Sequence, residues 1–198
     1  ERALNAQLVL MSAIAAHGAT QLWFGEENAA LTQGYYADYT RLSPEQERML
    51  RAYDDFFVRY EELLFDDSLT DVSWTHCGWD NEEYACDAPY SVCGEGGKLW
   101  LILREDHTRK LIVLINLCGD ESSLWNAGRA APTPLTNITL RAQVFKQVVR
   151  VWTASPDRNL GAAEPIDFAM EQGEHGDFVH MTLPQIELDW LPWRPCAR

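Results

Sequence analysis

The clearest pattern in the chain is a continuous apolar run over residues 111–118, with Ile and Val at its centre. Charged and polar residues that favour turns flank this run on both sides. A run of this length between two turns is typical of a strand buried on both faces, rather than of a helix. Residues 137–144 and 144–153 carry two further strand patterns. Three strands in series, joined by short polar turns, predict an antiparallel β-sandwich.

The β pattern extends from about residue 68 to the end of the chain. Residues 72–75 and 98–104 are strand candidates before the apolar run, and residues 177–183 and 186–191 are strand candidates after it. Their lengths and the turns between them agree with the sandwich pattern. We therefore expect an all-β domain over residues 68–198.

The first 67 residues show a different pattern. Residues 1–16 have the composition of a helix, and Gly18 is a plausible stop. A short strand pattern over residues 19–25 follows and ends at two adjacent carboxylates, Glu26 and Glu27. A helix, a short loop, a strand and polar residues at the strand's carboxyl end are typical of the last unit of a β/α barrel.

A second helix is expected to begin at Ser43. Ser43 is suited to the N-cap, Pro44 to the first helical position, and Gln46 to the reciprocal position of a capping box. From there to about Phe65, apolar side chains recur every three or four residues, which predicts one buried stripe. Residues 31–41, which precede this helix, are expected to form a loop.

The charge of the chain excludes one class of partner. Thirty Asp and Glu against sixteen Lys and Arg give a net charge of -14, whereas binding to a phosphate backbone depends on clustered basic residues. We expect no nucleic-acid partner. No run of eighteen apolar residues occurs, so we also expect no membrane span. The chain carries no phosphate loop, dinucleotide fingerprint or zinc-ligand spacing, and we expect no cofactor and no metal.

Five cysteines raise the question of disulfides. Cys77, Cys86 and Cys93 lie close together, and their spacing does not match that of a zinc site. We expect a disulfide within this group, with Cys196 as a further candidate. Cys118 lies in the apolar run and is expected to be a buried free thiol. A disulfide would place the protein in an oxidising, extracellular compartment.

Three stretches of the chain carry a family resemblance when they are taken together. They are His-Gly-Ala-Thr-Gln-Leu-Trp-Phe-Gly-Glu over residues 17–26, Tyr-Asp-Asp-Phe-Phe-Val-Arg-Tyr-Glu-Glu-Leu-Leu over residues 53–64, and Leu-Ile-Asn-Leu over residues 114–117 with Trp125, Asn137, Ile138 and residues 154–157. In this order they resemble the last barrel strand, the following helix and the C-terminal β domain of glycoside hydrolase family sixty-six. This family comprises the dextranases and the cycloisomaltooligosaccharide glucanotransferases.

The resemblance implies a mixed fold: residues 1–67 would be the last strand and closing helix of a (β/α)8 barrel, and residues 68–198 an antiparallel sandwich. Residues 77–97 lie outside the resemblance and would be an insertion that carries the cysteines. The family's catalytic Asp and Glu stand on earlier barrel strands, so no catalytic residue is expected in this chain. Because the chain starts at Glu1 within a helical pattern, we expect it to be part of a longer protein.

The function implied by the resemblance is hydrolysis or transglycosylation of α-1,6-glucan by a secreted, retaining enzyme. The expected partners are the α-glucan and the upstream part of the same protein. Gln21 and Trp23 stand where the family commonly has His and Glu. This departure affects the expected substrate and linkage.

Four residues are candidates for contact with a sugar. Glu26 and Glu27 could accept hydrogen bonds from sugar hydroxyls, or they could be a solvated pair in a loop. The rings of Tyr35 and Tyr36 could stack on a glucosyl ring, or they could pack the loop onto the barrel rim. Adjacent side chains on a strand diverge, so Glu26 and Glu27 cannot be a retaining pair, whose carboxyls stand roughly 5 Å apart across one bond.

An alternative belongs to a different functional class. The β domain could be a non-catalytic glycan-binding module or a purely structural sandwich. Trp100 and Trp152 lie within strand patterns and are expected to face the core. Trp79 lies in the acidic, Cys-bearing segment, and we expect it to be exposed.

Overall fold

A computed structural model describes residues 1–33, 35, 38–81, 83–124, 127–188 and 190–193. Three residues named above, Tyr36, Trp125 and Cys196, lie outside the described residues. The helices are α1 (Arg2–Ala16), α2 (Pro44–Arg59), α3 (Glu61–Leu64) and α4 (Ser73–His76), with a single 3-10 turn at Asn159–Gly161. The strands are β1 (Gly25–Glu26), β2 (Ala29–Gln33), β3 (Asp38–Arg41), β4 (Thr70–Asp71), β5 (Tyr84–Cys86), β6 (Tyr90–Ser91), β7 (Leu99–Glu105), β8 (Lys110–Asn116), β9 (Leu135–Val144), β10 (Val151–Thr153), β11 (Glu164–Ile166), β12 (Phe168–Gly173), β13 (Gly176–Ile186) and β14 (Trp190–Trp193).

Two sheets form the body of the molecule. The inner sheet has the order β14-β8-β7-β4, with β6 also paired to β7, and the outer sheet has the order β12-β13-β9-β5. Every pair is antiparallel except β6 with β7. A small sheet, β1-β2-β3, precedes α2, and β10 pairs with β11. The predicted antiparallel sandwich is therefore confirmed, and the described residues form no closed barrel.

The inner sheet is covered on both faces. Leu99, Leu101 and Leu103 of β7 belong to the core that is shared with the outer sheet. Trp100 and Ile102, which alternate with them, belong to a second core that is shared with the helices α1 and α2. Since successive side chains of a strand point to opposite faces, β7 and β8 must be apolar at nearly every position. This requirement explains the apolar run in the sequence.

Helix α1 begins and ends where the sequence indicates, and α2 begins where it indicates. The helix expected to continue to about Phe65 ends at Arg59, and the short helix α3 follows it. The Ser43 hydroxyl accepts a hydrogen bond from the Gln46 amide, and the Gln46 side chain accepts one from the Ser43 amide, so the capping box is complete. At the end of α1, the amides of Gly18 and Ala19 donate to the carbonyls of Ala15 and Ile14. This pair of bonds is the Schellman arrangement that ends a helix.

The structure also differs from the expected elements in several other segments. Residues 72–75 were expected to be a strand, but Ser73–His76 is the short helix α4. Residues 31–41 were expected to be a loop, but they contain most of the β2–β3 hairpin. The run 144–153 is interrupted, because β9 ends at Val144 and β10 begins at Val151. Of the strand expected over residues 19–25, only Gly25 belongs to a strand.

Hydrogen bonds made by two neighbouring side chains explain the helix α4. The Asp71 carboxylate accepts from both the amide and the hydroxyl of Ser73, at 2.9 and 2.6 Å. The Ser73 hydroxyl in turn accepts from the amide of Leu103, at 2.9 Å. A short polar side chain that bonds to the backbone ahead of it favours a turn or a helix start over a strand. The alternating pattern of residues 72–75 is overridden by these bonds.

Candidate functional site

The two candidate glutamates lie at a tight β-hairpin. Gly25 and Glu26 of β1 pair with Ala30 and Ala29 of β2, and Glu27 and Asn28 form the two-residue turn between them. Both turn residues have positive φ, 51° and 61°, as a type I′ turn requires. Glu26 is therefore on a strand. Glu27 was expected to be on the same strand, but it lies at the tip of the turn.

A groove of about 610 Å³ separates this hairpin from α2. Its lining combines an apolar wall with acidic and basic groups: Trp23, Phe24, Gly25, Glu26, Glu27, Asn28, Ala29, Ala30, Leu42, Glu47, Arg48, Leu50, Arg51 and Asp54. Carboxylates accept hydrogen bonds, guanidinium groups donate them, and aromatic rings offer an apolar surface. This combination suits a neutral, hydroxyl-rich ligand, and we call the space the hairpin groove.

One carboxyl group of the hairpin groove has a shifted pKa. Burial raises the pKa of Asp54 above its ordinary value, and the neighbouring Asp55 raises it further. Both effects oppose the charged form of the carboxyl group. Asp54 also lines a second, more apolar cavity of about 370 Å³, together with Met11, Phe57 and Phe65.

The segment that enters the hairpin exposes large apolar side chains. Leu22 is 77% exposed and Phe24 is 67% exposed, and both lie within the three residues that precede β1. The Phe24 carbonyl accepts a hydrogen bond from the Leu31 amide, and the Gln21 side chain accepts one from Gln7 of α1. Within the described residues, β1 is the edge of its sheet and pairs with β2 alone. An open strand edge next to exposed apolar side chains is typical of a surface that another element covers.

Gly25 is needed for the hairpin to close. A Cβ atom at Gly25 would stand 2.0 Å from the carbonyl oxygen of Ala29, whereas one at Gly128 would meet nothing nearer than 3.7 Å. We expect Gly25→Ala to lower the free energy of unfolding by about 1–3 kcal/mol, the usual cost of overpacking. Urea unfolding and hydrogen exchange at the Leu31 amide would measure it. Gly128→Ala is the matched control, and an equal effect of the two substitutions would contradict the steric reason.

The tyrosine candidates are only partly placed. Tyr35 is exposed at the connection between β2 and β3, and Tyr36 lies outside the described residues. Tyr39 of β3 is also exposed. Neither Tyr35 nor Tyr39 lines the hairpin groove. The sugar-stacking role of Tyr35 and Tyr36 stays a prediction.

The cysteines of the described residues are free. Cys77, Cys86, Cys93 and Cys118 carry thiols, so the structure does not support the disulfide expected within this group. Burial raises the pKa of Cys77 to about 12, with a further contribution from Glu83, and that of Cys86 to about 11. Thiols with such pKa values are poor nucleophiles at neutral pH. Cys118 is half-buried rather than fully buried.

The described residues lack a metal-ligand cluster and a helix that could cross a membrane. Among the described residues, no group of three or more His, Cys, Asp or Glu side chains is placed to hold a metal ion. In the same part of the chain, no helix has the length and apolar character needed to cross a bilayer.

The half-buried carboxylate of Asp157 joins groups that are far apart along the chain. Asp157 accepts a hydrogen bond from the Tyr53 hydroxyl of α2 at 2.8 Å and one from the Leu188 amide at 2.9 Å. The Ser155 hydroxyl accepts a further hydrogen bond from the Asp157 amide. Asp157 thus joins the helix that lines the hairpin groove to the connection between β13 and β14.

A second polar cluster attaches β5 to the inner sheet. The Tyr84 hydroxyl donates to the Glu105 carboxylate at 2.8 Å, and the Lys110 ammonium donates to both groups. Burial raises the pKa of Tyr84 well above its ordinary value, and Glu105 adds to this effect. Neither cluster could be read from the sequence, because its members are far apart along the chain.

Comparison with known proteins identifies relatives over nearly the whole chain. The sequence model of glycosyl hydrolase family 66 matches residues 4–190. Two cycloisomaltooligosaccharide glucanotransferases of Niallia circulans are 27% identical over 177 residues and 25% identical over 179 residues. Each of these alignments covers 88% of this chain but 18% of the relative.

A solved structure has the same fold. A crystal structure of a cycloisomaltooligosaccharide glucanotransferase from Paenibacillus sp., complexed with cycloisomaltoheptaose, superposes with a TM-score of 0.84 at 24% identity. The superposition covers 96% of this chain and 27% of that chain. The chain therefore spans less than a third of the length of each of these relatives.

Proposed function

The chain belongs to glycosyl hydrolase family 66, and from this membership we propose that it is the C-terminal part of a secreted, retaining enzyme acting on α-1,6-glucan. The enzyme hydrolyses its substrate or transfers glucosyl units through a covalent intermediate. Residues 1–67 contribute the last strand and the closing helix of the catalytic barrel, and residues 68–198 form the sandwich that follows it.

The observation that carries this proposal is the match over residues 4–190 to a family whose members are much longer than this chain. The exposed side chains of Leu22 and Phe24, next to the open edge of β1, support it independently. An extended segment becomes a strand only where a neighbour pairs with it. Residues 19–23 belong to no strand within the described chain, and the preceding barrel strands would supply the neighbour that they need.

The catalytic Asp and Glu would be upstream, so the chain contributes to substrate binding rather than to bond cleavage. Glu26 and Glu27 follow directly on the proposed barrel strand, at the end of the barrel where active sites lie. We assign them as hydrogen-bond acceptors for sugar hydroxyls at the rim of the active site. Tyr35 and Tyr36 follow in the same connection and would offer rings to a glucosyl unit.

Activity measurements on two lengths of the protein test the proposal. The 198-residue chain alone is expected to release no reducing sugar from dextran, because it lacks both catalytic carboxylates. The full-length protein, with its upstream residues, is expected to release linear or cyclic α-1,6-linked products. Hydrolysis of dextran by the 198 residues alone, or a full-length protein that does not act on dextran, would contradict the proposal.

A further inference from the structure

A second cleft lies on the outer sheet, away from the hairpin groove. It occupies about 270 Å³ between the turn at residues 78–81 and the β12–β13 turn, and it is lined by Asp80, Asn81, Glu83, Gln143, His175 and Phe178. The helices α1 and α2 pack on the inner sheet, and the outer sheet packs on the opposite face of the inner sheet. Both sheets therefore separate this cleft, which we call the outer cleft, from the helical layer.

The floor of the outer cleft is held in place by hydrogen bonds. The Gln143 side chain is buried, and its amide donates to the His175 carbonyl at 2.6 Å. The Gln143 backbone amide donates to the Glu83 carbonyl at 2.7 Å. Gly176 has a φ of +135°, and a Cβ atom there would stand 2.9 Å from the Gln143 amide nitrogen. The tight turn is thus fitted to the glutamine side chain.

An exposed tryptophan directly precedes two residues that line the outer cleft. Trp79 is fully exposed to solvent, at the tip of the turn whose next two residues, Asp80 and Asn81, line the cleft. Its φ of +57° is unusual for a bulky residue. Such a conformation costs free energy, and residues that hold it cluster at active sites, ligand clamps and switch regions. Phe178 is less available, because the Arg141 guanidinium lies over its ring at 3.3 Å.

We propose that the outer cleft and Trp79 form a second binding site for a neutral glucosyl unit of the glucan. Carboxylates and amides are suitable partners for sugar hydroxyls, and the indole face suits the apolar face of a pyranose ring. The carboxylates of Asp80 and Glu83, in a chain of net charge -14, disfavour an anionic ligand. The volume lies just below the usual range of ligand pockets, so it suits one sugar ring rather than a longer chain.

This inference takes its ligand class from the proposed function, but it concerns a separate surface. A long glucan could occupy the active site and the outer cleft together, whereas a short oligosaccharide could reach one site at a time. Simultaneous binding at two sites raises the apparent affinity of the long ligand without any change at the first site. The outer cleft should therefore affect polymeric dextran and leave short substrates unaffected.

The test compares two tryptophan variants of the full-length enzyme. Trp79→Ala is expected to reduce retention on immobilised dextran and to raise KM for polymeric dextran roughly 2- to 10-fold, as the loss of one aromatic contact implies. KM for a short α-1,6-linked oligosaccharide, and kcat for both substrates, should not change. Trp74→Ala is the matched control, since Trp74 is also a largely exposed tryptophan (71%) but lies in α4 and, unlike Trp79, is not adjacent in sequence to a residue that lines the cleft.

A third variant and the possible outcomes complete the test. Asp80→Ala alters the wall of the cleft and should reproduce the effect of Trp79→Ala in the same direction. If Trp79→Ala behaves like the parent on polymeric dextran, the outer cleft is not a glucan site, although the proposed function stands. If the parent enzyme is retained on dextran, and this retention depends on Trp79, but the enzyme does not cleave dextran, the proposed function is wrong. The outer cleft is then still supported as a glucan-binding site. A parent that neither binds nor cleaves dextran would overturn both.

Discussion

Replacing Leu22 or Phe24 by Ser is expected to remove most of the activity of the full-length enzyme while leaving the fold of the 198-residue chain intact. Both side chains are largely exposed in this chain, so the polar replacement disrupts little packing here. In the full-length enzyme the proposed barrel covers them, and burial of one such side chain contributes about 1.5–3 kcal/mol. Dextran hydrolysis and thermal unfolding of both lengths of the protein would measure the contrast.

Leu160→Ser is the matched control for this experiment. Leu160 is 93% exposed, but it lies at the 3-10 turn beside α2, away from the segment that leads into β1. Its replacement should change the free energy of unfolding of either length of the protein by no more than about 0.5 kcal/mol. If Leu22→Ser and Phe24→Ser were as harmless as Leu160→Ser in the full-length enzyme, these side chains would not lie against a barrel.

Asp157→Ala is expected to lower the free energy of unfolding of the 198-residue chain by about 2–4 kcal/mol, because two buried donors lose their acceptor. These donors are the Tyr53 hydroxyl and the Leu188 amide. Urea unfolding would measure the loss. Tyr53→Phe removes one of the two bonds together with its donor, so it should cost less than Asp157→Ala. Equal effects would mean that the Leu188 bond contributes nothing.

The pH dependence gives a separate signature for Asp157. Burial raises its pKa above the ordinary value of 3.8, although the bonds from Tyr53 and Leu188 act in the opposite direction. The native state then holds the carboxyl proton more tightly than the unfolded chain does. The stability that the Asp157 carboxyl group contributes is complete below about pH 4 and is lost as the pH rises through its raised pKa.

The destabilisation caused by Asp157→Ala should therefore be larger at pH 4 than at pH 7. Asp167→Ala, at an exposed carboxyl group, serves as the control for a general effect of lost charge. We expect the destabilisation to differ between pH 4 and pH 7 for Asp157→Ala but not for the control. A destabilisation that grew toward pH 7 would mean that the native state favours the charged carboxylate of Asp157.

The sequence is most informative where a local pattern and the final environment agree. The run 111–118 predicts a strand that is buried on both faces, and β8 is buried on both faces by different layers. Ser43 and Gln46 predict a capped helix start, since the bonds of a capping box involve residues three positions apart. The exposure of Trp79 was also expected from its acidic surroundings.

The remaining features depend on groups that are distant along the chain or lie outside it. Asp157 meets Tyr53 across 104 positions of sequence, and no periodic pattern reports such a contact. The outer cleft brings Asp80, Asn81 and Glu83 together with Gln143 and Phe178 in the same way. Residues 19–24 have the composition of a strand, but composition does not provide the neighbouring strand that pairing requires.

The double burial of β7 and β8 has a consequence for how the chain unfolds. The side chains of these two strands contribute to both cores. If either the helical layer or the outer sheet detached, the apolar side chains on one face of the β7–β8 hairpin would be exposed to water. A cut at residue 67 would leave residues 68–198 with the apolar faces of Trp100, Ile102 and Val113 in water. The 198 residues should thus melt in a single cooperative transition, and the β region cannot be moved to another protein without the helices that precede it.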